Sequence, residues 1–313
     1  MNNLVRCWNQ NRRKIITIIA VIVFLIIIIQ VLNQMAIAQR ESENANRDTN
    51  TYDENLPTQS IVGGDTVSSE QTKSNVEVIE EFIAYCNAGN IASAYGMLTE
   101  ECKEILFPTQ EDFQNGYYNT IFTSERIANI ENFLSEEEQY TYRVTLYHNM
   151  LATGRTEEDY YQDYITVNQS SENGKLNINS FIQKNEVNKE AENNDIKITV
   201  VAQEIYKDYE IYEIKVENNR DTPILIDTRE SSRSVYAVGD NNVSYNSFIH
   251  EIASNLYEIP AHFSRTYRIK FNKIYSVDIK TRGIVFSDIV PDSETYNNNP
   301  EEMQTRYRIS VSI

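Results

Sequence analysis

One apolar run limits this chain more than any other feature: Ile15 to Ile29 is broken only by Thr17. Arg12, Arg13 and Lys14 precede it, and apolar character returns after Gln30 through Val31, Leu32, Met35, Ala36, Ile37 and Ala38. A helix over 15–37 has the ~20 residues needed to cross a bilayer core. The basic residues Arg6, Arg12, Arg13 and Lys14 all lie on its N-terminal side, so the expected topology is a cytoplasmic tail at 1–14 and an extracellular remainder. A cleaved secretory signal is the alternative, because Ala36-Ile37-Ala38 before Gln39 fits a small-residue cleavage site.

Charge narrows the partners. Setting aside the four N-terminal basic residues, 24 of the 28 Lys and Arg remain against 46 Asp and Glu, an excess of 22 negative charges. No Lys/Arg cluster that could track phosphates occurs in that portion, so nucleic acid is not an expected partner. Cys86 and Cys102 are the only cysteines beyond the apolar run, and they form no CxxC or Cys/His grouping. A Cys86–Cys102 disulfide and two buried thiols both remain open. No metal and no cofactor is expected.

Residues 38–73 are poor in large apolar side chains and rich in Asn, Ser, Thr, Glu and Gly, which predicts a disordered tether. Beyond it, Val76, Ile79, Phe82 and Ile83 recur at helical spacing with Glu77, Glu80 and Glu81 opposite. Gly89-Asn90 ends that helix. A second pattern runs from Ile91 to Leu106 and stops at Pro108, and Thr109 with Asp112 forms a capping box for a third helix around Phe113, Tyr117 and Tyr118. After Ser124 the period becomes two: Tyr142, Val144, Leu146 and His148 share one face. Strands are also expected over 159–169 and 175–183, joined across Ser170 to Gly174 as a hairpin. Helices followed by strands describe an α+β domain at 74–185, with helices covering a curved antiparallel sheet.

This order, closing on Tyr164-Ile-Thr-Val and Lys175-Leu-Asn-Ile-Asn-Ser-Phe-Ile, resembles the nuclear-transport-factor-2-like superfamily of α+β cones. The resemblance implies an assembly or binding module. Single-span extracellular members are similar to components of Gram-positive conjugation and cell-envelope machinery, so the implied partners are envelope, secretion or conjugation-type proteins. Some relatives are enzymes with an acid, a His or a Tyr inside the cone.

A polar stretch at 186–194 is expected to be a linker. From 195 to 313 the patterns are almost all strands, as in Ile196-Lys-Ile-Thr-Val, Tyr209 to Val216, Tyr267-Arg-Ile-Lys-Phe and Thr305 to Val311. Their spacing predicts an all-β sandwich. It is similar to the immunoglobulin-like modules of bacterial surface proteins, without a Cys…Trp…Cys core, since Trp8 is the sole tryptophan.

Two ionisable residues fall on apolar strand faces, His148 and Asp163. Were they paired, with Tyr147 or Tyr161 nearby, they could work as general acid and base in an enzyme or small-ligand receptor. The commoner role at strand ends is a hydrogen-bonded or rim position, and no catalytic activity is expected. Tyr is abundant, with 21 copies. The adjacent pairs Tyr117-Tyr118 and Tyr160-Tyr161 are candidate binding residues, although alternation should bury one member of each pair. The turns around Asp240 and Asp288 to Asp292 match no calcium loop and are expected to be solvated.

Overall fold

The computed structural model describes residues 67–136, 138–148, 160–169, 174–229, 231, 233–299 and 305–313. All of them fall within one compact unit, Asn55–Ile313. The expected cytoplasmic tail at 1–14, the expected span at 15–37 and most of the expected tether at 38–73 lie outside the described residues.

The first helix, α1 (Ser69–Asn87), begins earlier than its apolar spacing predicts, because Ser68 accepts a hydrogen bond from the Gln71 amide as its N-cap. Ile79, Phe82, Ile83 and Cys86 form its buried stripe. The expected second helix is broken into α2 (Ile91–Gly96) and α3 (Glu100–Leu106). Between them Leu98 bridges Leu176, and Thr99 caps α3 while bonding Asn177 Oδ1 at 2.5 Å. The capping box of Thr109 and Asp112 opens α4 (Gln110–Phe113), which continues through a π-helical turn, Gln114–Tyr118. Cys86 and Cys102 are free and buried, and burial pushes both thiols up to about 12.

Four antiparallel strands form the first sheet in the order β1 (Arg126–Glu136), β2 (Gln139–His148), β3 (Tyr160–Asn168) and β4 (Lys175–Asn177). Strand β4 stops after three residues. The chain turns at Asn179 and Ser180, both at positive φ, and leaves this sheet as β5 (Phe181–Asn193). That strand pairs with β6 (Ile196–Tyr206), which pairs with β7 (Glu210–Asn218), which pairs with β12 (Phe263–Phe271). A facing sheet contains β10 (Ser244–Asn246), β9 (Val235–Gly239), β13 (Thr281–Ile289) and β14 (Tyr307–Ser312) in that order, and β8 (Ile224–Leu225) and β11 (Glu258–Ile259) form a separate two-stranded pair. Alternate residues of both sheets meet in one apolar core, including Ile198, Ile214 and Ile269 from one side and Ala237, Phe286 and Val311 from the other.

The expected fold class, an α+β cone beside a separate β-sandwich with one transmembrane helix, is corrected. Strands dominate the described chain, in antiparallel sheets throughout, and the helices are short apart from α1. Among the described residues no helix is long and apolar enough to cross a membrane. The hairpin expected to close a cone is instead split at Ile178 to Ser180, and its second half builds another sheet. The linker expected at 186–194 is corrected too, since it is strand as far as Asn193 and turns at Asn194–Asp195. Buried contacts cross the same joint: Leu134, Ile182, Ile205 and Tyr275 pack together, and Tyr206 enters the core beneath the helices.

A buried ion pair anchors the second core at the start of β7. Glu210 and Lys273 are 1% and 2% exposed and 2.7 Å apart. Glu210 Oε2 also accepts from Tyr212 OH and Thr281 Oγ1, each at 2.7 Å, and Tyr212 OH accepts from Gln203 Nε2 at 2.8 Å. Every charge there has a partner, the condition under which a buried pair is tolerated. Lys273→Ala strands the Glu210 carboxylate, so urea unfolding should show a stability loss of about 3–5 kcal/mol. Unchanged stability would mean that water reaches the pair.

Candidate interaction surface

Asp163 sits in β3 with its carboxylate fully buried and four donors aimed at it. Oδ2 accepts from Tyr117 OH at 2.8 Å and the Asn179 amide at 2.9 Å. Oδ1 accepts from the amides of Tyr164 at 2.7 Å and Ser180 at 2.9 Å. The carboxylate therefore ties the helical layer to β3 and holds the left-handed turn that launches β5. Burial pushes its pKa above the ordinary carboxylate value, and the four bonds oppose that rise without reversing it.

His148 lies elsewhere. Strand β3 sets Asp163 opposite Val144, so His148 is four residues further along β2, ~13 Å at ~3.3 Å per residue. Its Nδ1 is 2.6 Å from Ser124 Oγ, and Arg126 is its cross-strand neighbour. The two residues share a face of the sheet and form no acid–base pair. What Asp163 contacts is Tyr117, whose hydroxyl is itself raised well above its usual pKa by burial and by the Asp163 charge. Such a phenol holds its proton and serves as a fixed donor.

Tyr117 and Tyr118 part through a helical turn and not through strand alternation, and Tyr160 and Tyr161 point to opposite faces of β3 without either ring being fully buried. Tyr117 is core, stacked on Phe113 at 5.8 Å and edge-on to Phe107 at 6.1 Å. Tyr118 is half-buried and stacks on Phe122 at 5.9 Å. Tyr161 is half-buried against Tyr117, with ring centroids 6.4 Å apart. Tyr160 faces outward.

Tyr160 belongs to a row that the sequence did not reveal. Ile127 in β1 pairs with Tyr147 in β2, which pairs with Tyr160 in β3, and their exposures are 51%, 45% and 58%. The two rings lie 6.1 Å apart. Three large apolar side chains thus line up across three strands on the face away from the helices. The next row inward is Asn129, Thr145 and Gln162, followed by the ion pair of Glu131 with Arg143. An apolar centre beside a polar rim is the anatomy of a protein contact. Half-exposed aromatics leave roughly 100 Å² each, so the row would form the centre of an interface and not the whole of it. The edge of β1 is less suited to strand addition, because a bulge at Asn132/Leu134 interrupts it and Asn87 caps its first residue through both backbone groups of Arg126. Tyr147 alternates with the inward Leu146 and His148 and so lies on the face opposite the one on which an acid–base site would need it. Ile127 was not legible as an outward residue, because 126–136 lacks clean alternation.

The acidic turns have structural roles. Asp292 caps the helix Ser293–Asn298, and the Thr295 amide it accepts holds its pKa below the ordinary value. Asp288 pairs with Arg306 at 3.1 Å, and Asp240 accepts from the Lys280 amide at 3.4 Å. Among the described residues no group of three or more His, Cys, Asp or Glu could hold a metal ion.

Asp163→Ala leaves three backbone amides and a phenol without an acceptor, and Asp163→Asn turns one donor group toward two others. The Asn variant should lose about 1–3 kcal/mol in urea unfolding and the Ala variant more. The pH dependence has a fixed sign. A folded pKa above the unfolded one contributes stability that is fully present below the unfolded value and is lost as pH rises through the folded value. Stability measured upward from the ordinary carboxylate range should therefore carry a declining component, which Asp163→Asn removes. An unchanged pH profile in that variant would contradict the assignment.

No family model matches this chain, and no curated protein matches it. Part of the chain is similar to the 2.2 Å crystal structure of a conserved hypothetical protein from Bacillus anthracis, at 15% identity, over 29% of this chain and 81% of that one, with a TM-score of 0.23. A likeness of that size establishes neither the fold nor the function.

Proposed function

We propose that this chain is an extracellular binding or assembly protein of a bacterial cell envelope, held at the membrane by the apolar run at 15–37 and acting through protein–protein contact rather than catalysis. The observation that carries the reading is the exposed row of Ile127, Tyr147 and Tyr160 with its polar flank. The two candidate acid–base residues support it from the other side, because Asp163 is saturated with structural bonds and His148 lies beyond its reach. The excess of 22 negative charges beyond the apolar run favours a partner with a basic rim around an apolar centre. The finer reading of residues 195–313 as an immunoglobulin-like module rests on its two facing antiparallel sheets and their shared core.

Replacing Ile127, Tyr147 and Tyr160 by Ser, singly and together, tests this directly. Each change removes apolar surface that is already half in water, so thermal stability should stay near wild type. Capture of the envelope partner in cross-linking from intact cells should fall at least about tenfold for either Tyr variant, given that an aromatic anchor is worth ~2 kcal/mol or more. Full capture by the triple variant would refute the surface. Orientation is checked separately: protease added to protoplasts should digest the chain beyond Gln39, and protection of 74–313 would reverse the topology.

A further inference from the structure

A cavity of about 290 Å³ lies at the other end of β1 from Ile127, where Glu136 meets β5, β6 and the segment 273–281. Its charged walls are matched within the protein. Lys273 Nζ is 2.7 Å from Glu210 Oε1, and Lys280 Nζ is 3.0 Å from Glu136 Oε1. Glu136 also accepts from Tyr275 OH at 2.6 Å, and Glu210 from Thr281 Oγ1 at 2.7 Å. An ionic ligand would meet a neutralised lining and would have to break one of these pairs to be held.

The remaining polar groups have capacity to spare. Gln183 and Ser276 are half-buried in the wall and make no side-chain hydrogen bond among the described residues. Asn185 spends one N–H on Gln203 Oε1 at 3.2 Å, which leaves its carbonyl oxygen as an acceptor. Amides and hydroxyls both donate and accept, and so do the hydroxyls of a sugar. Ile205, Ile279 and Ile313 add apolar wall against which the C–H face of a pyranose ring can lie. The volume is at the lower end of the small-ligand range, enough for a short saccharide unit and too small for a long segment.

We propose that this cavity is a binding site for a neutral, polyhydroxylated ligand, a saccharide unit, with Gln183, Asn185 and Ser276 as its hydrogen-bonding residues. The site is independent of the outer-face row and of the protein partner proposed for it. The test titrates the detergent-solubilised full chain by calorimetry and ligand-observed NMR with glucose, N-acetylglucosamine and its β-1,4-linked disaccharide. Glutamate, lysine and inorganic phosphate serve as charged probes. At least one neutral saccharide should bind saturably, and Gln183→Ala and Ser276→Ala should each weaken it about 5- to 10-fold, the effect of one lost hydrogen bond, with melting temperatures unchanged. Both residues are partly exposed, so neither variant should impair folding. No saturable saccharide binding up to about 10 mM would overturn the proposal, as would equal affinity in the folded variants or tighter binding of a charged probe.

Discussion

The carboxylate of Asp163 is the constraint on which the rest of this structure depends. Four donors converge on it from the helical layer, from its own strand and from the turn between β4 and β5. Two consecutive non-glycine residues at positive φ, Asn179 and Ser180, are costly to hold, and the carboxylate offsets that cost by accepting both of their amides. Without the turn, β5 could not leave the first sheet, and the second would lack its edge strand. An ionisable group on an apolar face resembles a catalytic residue in sequence, yet its bonding here leaves no lone pair directed at a substrate.

Continuity through β5 explains why the described chain is one compact unit. The strand begins with Phe181 in the core beneath the helices and continues with Ile182 against Leu134, Ile205 and Tyr275. It then runs along β6 to Asn193. Three clusters of buried apolar side chains therefore meet along two neighbouring strands. The Glu210–Lys273 pair sits beside this seam, fixing the start of β7 to the segment that follows β12. The charged groups at the seam are paired with one another, and the cavity lies beside them with Gln183, Asn185 and Ser276 in its wall.

Much of the local structure was legible in the sequence, for reasons particular to each element. The stripe of Val76, Ile79, Phe82 and Ile83, of which the last three are buried, and the capping box of Thr109 with Asp112 are short-range signals, and both hold. The strand patterns at Ile196, Tyr209, Tyr267 and Tyr307 hold because both sheets bury one face against the other. The stretch at 186–194 misled because β5 lies at a sheet edge, where Lys189, Glu190 and Glu192 are exposed and only Val187 and Ala191 pack on the core, too few for hydropathy to detect. Residues 69–74 misled in a related way: the first turn of α1 is polar and is set by Ser68, which the apolar spacing ignores. At the sites, alternation placed His148 and Asp163 on the buried face of the sheet. The Asn179–Ser180 turn and the alignment of Ile127 with Tyr147 and Tyr160 depend on long-range pairing that local pattern does not encode.

Amide hydrogen exchange at Tyr164, Asn179 and Ser180 measures the central claim directly. If Asp163 holds the crossover between sheets, these three amides should exchange only with the global unfolding of residues 67–313, at the same opening free energy as the core strands β6 and β7. Exchange of Asn179 and Ser180 through a low-energy local opening, while β6 and β7 stay protected, would contradict it.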